Sequence, residues 1–153
     1  HKWNIENIFK TKIERQEAKT IFFSWFYNPD SKVINSDFYK REKVIKDWYK
    51  DGFVKTPMRR KIKVDEKKAF NYLIQSTTSD LVLERAVAID ELLEGKKSFI
   101  SHIVHDEIVI DFADEDRKLI HNIKKTFASN QLGDYIINMK AGPNYLELED
   151  LNL

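Results

Sequence analysis

The chain of 153 residues is 42% apolar and 33% charged, which excludes a disordered segment and gives room for one domain or two packed subdomains around a sizeable core. Its net charge of +1 averages segments of opposite sign: residues 40–68 hold twelve Lys/Arg against five Asp/Glu, and residues 106–153 hold five against ten. No run approaches the roughly 18 apolar residues of a membrane span, and zero cysteines exclude disulfides and thiolate metal sites, so any metal must be held by oxygen or imidazole.

The first predicted element is a helix from Ile13 to Tyr27, ended by Asn28-Pro29-Asp30-Ser31 because proline lacks the amide the ladder needs and restricts the residue before it. Arg15, Lys19, Phe23 and Tyr27 stand four apart in it, so they share one face. That stripe spans roughly 18 Å at 1.5 Å per residue, comparable with an extended nucleoside triphosphate. Two cations suited to phosphates come first, then two rings that can meet a sugar and a base. The plainer alternative is a surface helix with solvated cations and packed rings. Ile21, Phe22 and Trp25 occupy a different arc and are expected to face the core.

Lys40 to Lys50 reads as a short amphipathic helix, Asp51-Gly52 as a turn, and Phe53 to Lys63 as an extended pair around Thr56-Pro57. The basic run across this region is, by itself, most simply a solvated face. Asp65 is placed to cap a long helix from Glu66 to about Leu93, with Phe70, Leu73, Ile74, Leu81, Leu83, Ala86, Val87 and Leu92 at helical spacing and Gly95 as its stop. On it, Asn71 and Gln75 stand four apart. Amides on one helical face can reach base edges and sugars in a minor groove without reading sequence, with capping or solvent exposure as the alternative.

Ser98 to Val104 and Ile108 to Phe112 are short and rich in β-branched residues, which predicts two strands of a hairpin with His105-Asp106-Glu107 at the tip. Adjacent carboxylates in an apolar setting are tolerable when a divalent cation neutralises them, and oxygen ligands suit Mg²⁺; an ordinary acidic turn is the alternative. His102 is expected to be a structural side chain. A helix from Asp114 to Ser129 and a last strand near Tyr135 to Met139 complete an α+β fold.

The segment Arg15-Gln-Glu-Ala-Lys19-Thr-Ile-Phe-Phe23-Ser-Trp-Phe-Tyr27-Asn28 resembles motif B of family A DNA polymerases, with Ser24 and Asn28 where the family usually has glycine. His105-Asp106-Glu107 between apolar flanks resembles motif C of the same family, in the expected order. The related single-subunit RNA polymerases carry His-Asp-Ser there, so Glu107 points to DNA synthesis. Asn71 and Gln75 resemble the family's Asn-x-x-x-Gln helix. Arg59-Arg60-Lys61 resembles its Gly-Arg-Arg/Lys strand, with Arg59 in the glycine's place. His1-Lys2-Trp3-Asn4 resembles a short upstream His motif, and Ala141-Gly142-Pro143-Asn144-Tyr145 the family's terminal Gly-x-Asn-Trp stretch.

The resemblance implies an α+β assembly of a fingers helix and part of a polymerase palm. Residues 1–49 would form a trimmed fingers subdomain, with only ten residues between Tyr27 and Phe38, and residues 50–153 a palm portion with a primer-contacting helix, a catalytic hairpin, and a C-terminal helix and strand. It implies addition of a dNTP to a primer 3′ hydroxyl by two Mg²⁺ ions. Arg15 and Lys19 would clasp the triphosphate, with Lys19 protonating the leaving pyrophosphate and His1 also on phosphate. Phe23 would check the sugar and discriminate against dideoxynucleotides, and Tyr27 would line the template-side pocket. Asp106 would be a shared metal ligand, Glu107 a lesser one, His105 would touch the primer terminus, and Arg60, Asn71 and Gln75 would contact DNA.

Motif A, which carries the other shared carboxylate in the family, is not in this sequence, so the chain alone is expected to be inactive. The expected partners are primer-template DNA, a dNTP and an N-terminal remainder with the thumb and motif A, in cis or as a separate chain; no membrane is expected. The opening His predicts a natural N-terminus upstream, and the family predicts the cytoplasm of a bacterial or phage-infected cell. Alternatives are a non-catalytic nucleic-acid-binding remnant or one subunit of a split polymerase; a metal-dependent nuclease has no use for the triphosphate stripe.

Overall fold

One long helix and several small antiparallel hairpins make a mixed α+β fold. The computed structural model describes residues 4–9, 12–28, 30, 31, 34 and 39–151. They fall into two compact units, His1–Thr77 and Thr78–Leu153. This partition by packing lies inside the long helix and does not coincide with the functional division expected after residue 49.

In the first unit, α1 (Arg15–Tyr27) buries Ala18, Phe22 and Trp25, spaced so that they share one arc. Phe22 and Trp25 pack with Ile34, flanked by Ile8 and Phe9 of a π-helical segment Ile5–Phe9, by Phe23, by Phe26 and by Tyr39. The Tyr39 hydroxyl donates to Asn4 Oδ1 at 2.6 Å; burial raises its pKa, partly offset by that bond.

The end of α1 is held by a residue outside it. The buried Arg41 guanidinium donates to the carbonyl oxygens of Trp25 and Asn28, satisfying acceptors that a helix end leaves open. It also lies 5.1 Å from the Trp25 ring centroid. Arg41 opens α2 (Arg41–Trp48), which leads into a three-stranded antiparallel sheet of β1 (Tyr49–Lys50), β2 (Phe53–Lys55) and β3 (Lys61–Lys63) in that order. Val54, only 1% exposed, packs with Ala69 and Leu73 of α3 (Glu66–Leu93). Phe26 meets Phe70 edge to face, centroids 4.6 Å apart, which ties α1 to the start of α3.

In the second unit, Ile89 and Leu93 from the end of α3 pack with Ile123 of α4 (Ile120–Ala128), and Ile100, Ile108, Ile110 and Phe112 close around them. Ile100 lies on β4 (Phe99–Val104), Ile108 and Ile110 on β5 (Glu107–Asp111), and Phe112 just beyond it; the two strands are an antiparallel pair with a bulge between Ile100 and His102. Gly95, at φ +70°, ends α3 in a conformation that costs glycine little. Asp116 then fixes the start of β4 by accepting from the backbone N–H groups of Lys97 and Ser98 and from the Ser98 hydroxyl.

Four sequence expectations need correction. Ile74, Leu83 and Val87 on α3 are exposed, while Ala69, Val82, Ile89 and Leu93 are buried in their stead; α3 carries apolar residues on more than one arc, and the neighbours decide which arc is covered. The helix expected over 114–129 is a 3-10 segment Asp114–Leu119 followed by α4. The strand expected at 135–139 is absent: no partner strand lies there, and Ile136 is 99% exposed. Short pairs form instead, β6 (Ser129–Asn130) with β7 (Gly133–Asp134) and β8 (Lys140–Ala141) with β9 (Glu149–Asp150). His102, expected as a structural side chain, is exposed.

Candidate functional site

The stripe on α1 has the exposure that ligand binding requires. Arg15, Lys19 and Tyr27 are exposed and Phe23 is half-buried, while Phe22 and Trp25 take the core side. The Phe23 and Tyr27 rings stack with centroids 5.7 Å apart and planes 3° from parallel. Arg15 and Lys19 form no ion pair or side-chain hydrogen bond among the described residues. One face of one helix thus presents two available cations followed by a flat aromatic pair. His1 lies outside the described residues.

The second group in this unit is built by the β2–β3 connection. Thr56 starts a proline-led turn in which the Arg59 N–H donates to the Thr56 carbonyl at 2.8 Å, and Arg59 then takes φ +67°. The buried Thr56 hydroxyl accepts from the Arg60 N–H at 3.1 Å. This geometry aims Arg60 back along α3, where its guanidinium donates to the Ser76 carbonyl at 2.9 Å. Arg60 is therefore brought beside the helical turn that carries Gln75, which is exposed. Asn71 differs: its Oδ1 is covered and has no hydrogen-bond partner among the described residues. An amide oxygen held that way is costly unless something else satisfies it.

The third group sits in the second unit. Val104 pairs with Glu107, which leaves His105 and Asp106 as a two-residue turn, and His105 takes φ +53°. His105, Asp106 and Glu107 are all exposed, so the desolvation cost that argued for a cation at this tip is not incurred. Glu107 Oε2 accepts from the Tyr145 hydroxyl at 3.4 Å, and the Tyr145 ring lies 5.9 Å from that of His102. Sequence reasoning missed this Tyr145 contact; it depends on a tight fold of the C-terminal segment, where a Cβ on Gly142 would run into the Glu147 carbonyl.

No family model, curated protein or solved structure matches the chain.

Among the described residues no group of three or more His, Asp and Glu stands ready to hold a metal ion. That does not count against Mg²⁺ chemistry, because Mg²⁺ usually takes one or two carboxylates and completes its shell with substrate phosphates and water. Asp106 and Glu107 supply suitable hard oxygen donors and fit such an ion, and no second carboxylate pair among these groups offers a second site. Two shallow concavities, about 340 Å³ beside Leu93 and Phe99 and about 450 Å³ beside Trp48 and Arg59, are lined by none of the expected site residues. The stripe belongs to the first unit and the carboxylates to the second.

Proposed function

We propose that this chain is the nucleotide-gripping and metal-binding portion of a template-directed DNA polymerase resembling family A, active only when a further segment supplies a second metal-binding carboxylate. The observation that carries the reading is α1: exposed Arg15 and Lys19, two turns and one turn ahead of a parallel Phe23–Tyr27 pair. The alternative of solvated cations beside packed rings fits Phe23, which packs against the core, but calls for no order of cations before rings, whereas a nucleoside triphosphate meets its phosphates on the cations and its sugar and base on the rings.

Two further features support it. Arg59 stands where the resembling strand has glycine, and its φ of +67° is a conformation glycine adopts with least strain. Asp106 lies in the two-residue turn, Glu107 follows it, and both are exposed, where a substrate-borne cation can reach them.

In this reading Arg15 and Lys19 hold the triphosphate, and Lys19 is placed to give a proton to the departing pyrophosphate. Phe23 and Tyr27 orient the nucleoside. Asp106, with Glu107, would hold Mg²⁺, which would supply charge neutralisation at the transferring phosphoryl group. His105 is at the primer end, and Arg60 and Gln75 hold the primer-template; Asn71 joins them if its covered amide turns outward. A second reading, a nucleic-acid-binding remnant without catalysis, is favoured by the exposure of Asp106 and Glu107, whose charges need no cation at the hairpin tip.

The deciding experiment mixes the purified chain with an upstream polypeptide carrying the motif A carboxylate and follows primer extension with Mg²⁺ and dNTPs. Extension by the mixture, absent from either part and lost in Asp106→Asn, is expected. Duplex binding without extension would establish the remnant; extension by the chain alone would overturn the requirement for a second carboxylate.

A further inference from the structure

The 450 Å³ concavity lies between the end of α2 and the β2–β3 turn, lined by Asp47, Trp48, Lys55, Thr56, Pro57 and Arg59. It has the size of an ordinary small-ligand site. The register that pairs Tyr49 with Val54 brings Trp48, one residue earlier, abreast of Lys55. The turn that carries Arg59 is rigid: the Thr56 N–H donates to the Arg60 carbonyl at 2.8 Å, and the Thr56 hydroxyl accepts the Arg60 N–H at 3.1 Å.

Folding does not account for this lining. Asp47, Lys55 and Arg59 are exposed and share one concavity, yet none forms an ion pair or side-chain hydrogen bond among the described residues. Beside them Trp48, a large flat ring, keeps 37% of its surface open. Arg59 also holds φ +67°, a strained conformation of the kind that persists at ligand clamps. It stands where the resembling polymerase strand has glycine, so that strand's contact with phosphate does not explain the side chain.

We infer that this concavity binds a ligand in which one carboxylate stands beside an aromatic ring, supplied by a small aromatic acid or by the C-terminal residue of a polypeptide. The ring meets Trp48 and Pro57. The carboxylate accepts from the Arg59 guanidinium, whose planar fork matches two oxygens, with Lys55 as a second cation. Charge selects the anion. Lys55 and Arg59 against Asp47 leave one positive charge in the lining, which a single carboxylate balances. A phosphate monoester carries about −1.5 to −2 and brings the surplus beside Asp47. The same carboxylate disfavours a polyanion, so this site is separate from any nucleic-acid contact and does not depend on the polymerase reading.

The whole chain, labelled with nitrogen-15, is titrated with phenylacetate, phenyl phosphate and acetate, and with a tripeptide ending in phenylalanine as free acid and as amide. The readout is the indole N–H signal of Trp48, one of three tryptophans, assigned by its loss in Trp48→Phe. Phenylacetate is expected to shift it saturably and acetate to leave it in place. Arg59→Gly should weaken phenylacetate about tenfold or more, the worth of a hydrogen bond to a charged group, while its melting temperature holds or rises slightly. Asp47→Asn should narrow the preference for phenylacetate over phenyl phosphate. A free-acid peptide that binds at least about tenfold tighter than phenylacetate, with its amide inert, makes a polypeptide end the source; a peptide no tighter than phenylacetate makes it a small acid. A Trp48 signal that neither phenylacetate nor the free-acid peptide moves, a phenylacetate affinity unchanged in Arg59→Gly, or tighter binding of phenyl phosphate than of phenylacetate overturns the inference.

Discussion

Asp116 grips Ser98 twice, accepting its backbone N–H and its hydroxyl, both at 2.8 Å. The Ser98 hydroxyl in turn accepts the Ala113 N–H at 2.9 Å. One carboxylate thereby joins the 3-10 segment to the residue that leads into the hairpin presenting Asp106.

Acid should loosen this joint. The Ser98 N–H, then the Ser98 hydroxyl, hold the Asp116 carboxyl below its ordinary value. A carboxylate depressed in the folded state contributes stability that is complete above its unfolded pKa of about 3.9 and is lost as pH falls through the lower folded value. Asp116→Asn is expected to melt below the wild type at neutral pH, with the gap narrowing as pH drops under about 4. Melts that keep a constant gap into the acid range would refute the linkage.

Arg41 carries a larger share of the first unit. Replacing it with Met takes away the donor at the Trp25 carbonyl, leaves the Asn28 carbonyl with only the Ser31 N–H, and removes its packing on the Trp25 ring. A loss of about 2–3 kcal/mol is expected in urea unfolding, because a buried acceptor left open costs its desolvation in full. Arg41→Lys should recover only part of it, since one ammonium cannot reproduce the fork of the guanidinium.

The covered arc of α3 is open to a paired test. Ile89 is 1% exposed and Val87 60%, two residues apart on one helix. Ile89→Ala is expected to cost about 2–5 kcal/mol, and Val87→Ala about 0.5 kcal/mol or less. Equal costs would mean that the helix is turned the other way.

Arg59 holds a conformation that strains any side chain with a Cβ. Arg59→Gly should relieve strain worth about 1 kcal/mol, offset in part by the greater freedom of glycine in the unfolded chain. The expected result is an unchanged or slightly raised melting temperature, and a lowered one for Arg59→Val. A marked drop for the glycine variant would show that the side chain itself supports the turn.

In the proposed mixture with the upstream polypeptide, Asp106→Asn is expected to reduce primer extension by at least about 100-fold, more than the usual penalty for disturbing a residue behind a metal ligand. Chelation of Mg²⁺ should abolish extension altogether. An Asp106→Asn enzyme that extends primers at the wild-type rate would remove Asp106 from the metal site.

The sequence alone determined the elements whose signals are local. The Asn28-Pro29 stop, the Glu66–Leu93 helix before Gly95, and the hairpin around His105-Asp106 each follow from backbone chemistry within a few residues. The α1 stripe was legible too, because four-residue spacing fixes a helical face regardless of surroundings. Tertiary structure alone decided which arc of α3 is buried, since Ile74, Leu83 and Val87 are as apolar as the residues that won. It also denied a strand to residues 135–139, because a strand exists only where a neighbour accepts its hydrogen bonds. The Arg41 clasp, the Asp116 joint and the Tyr145 contact join residues far apart in sequence, and no local pattern encodes a contact made only after the chain has folded back on itself.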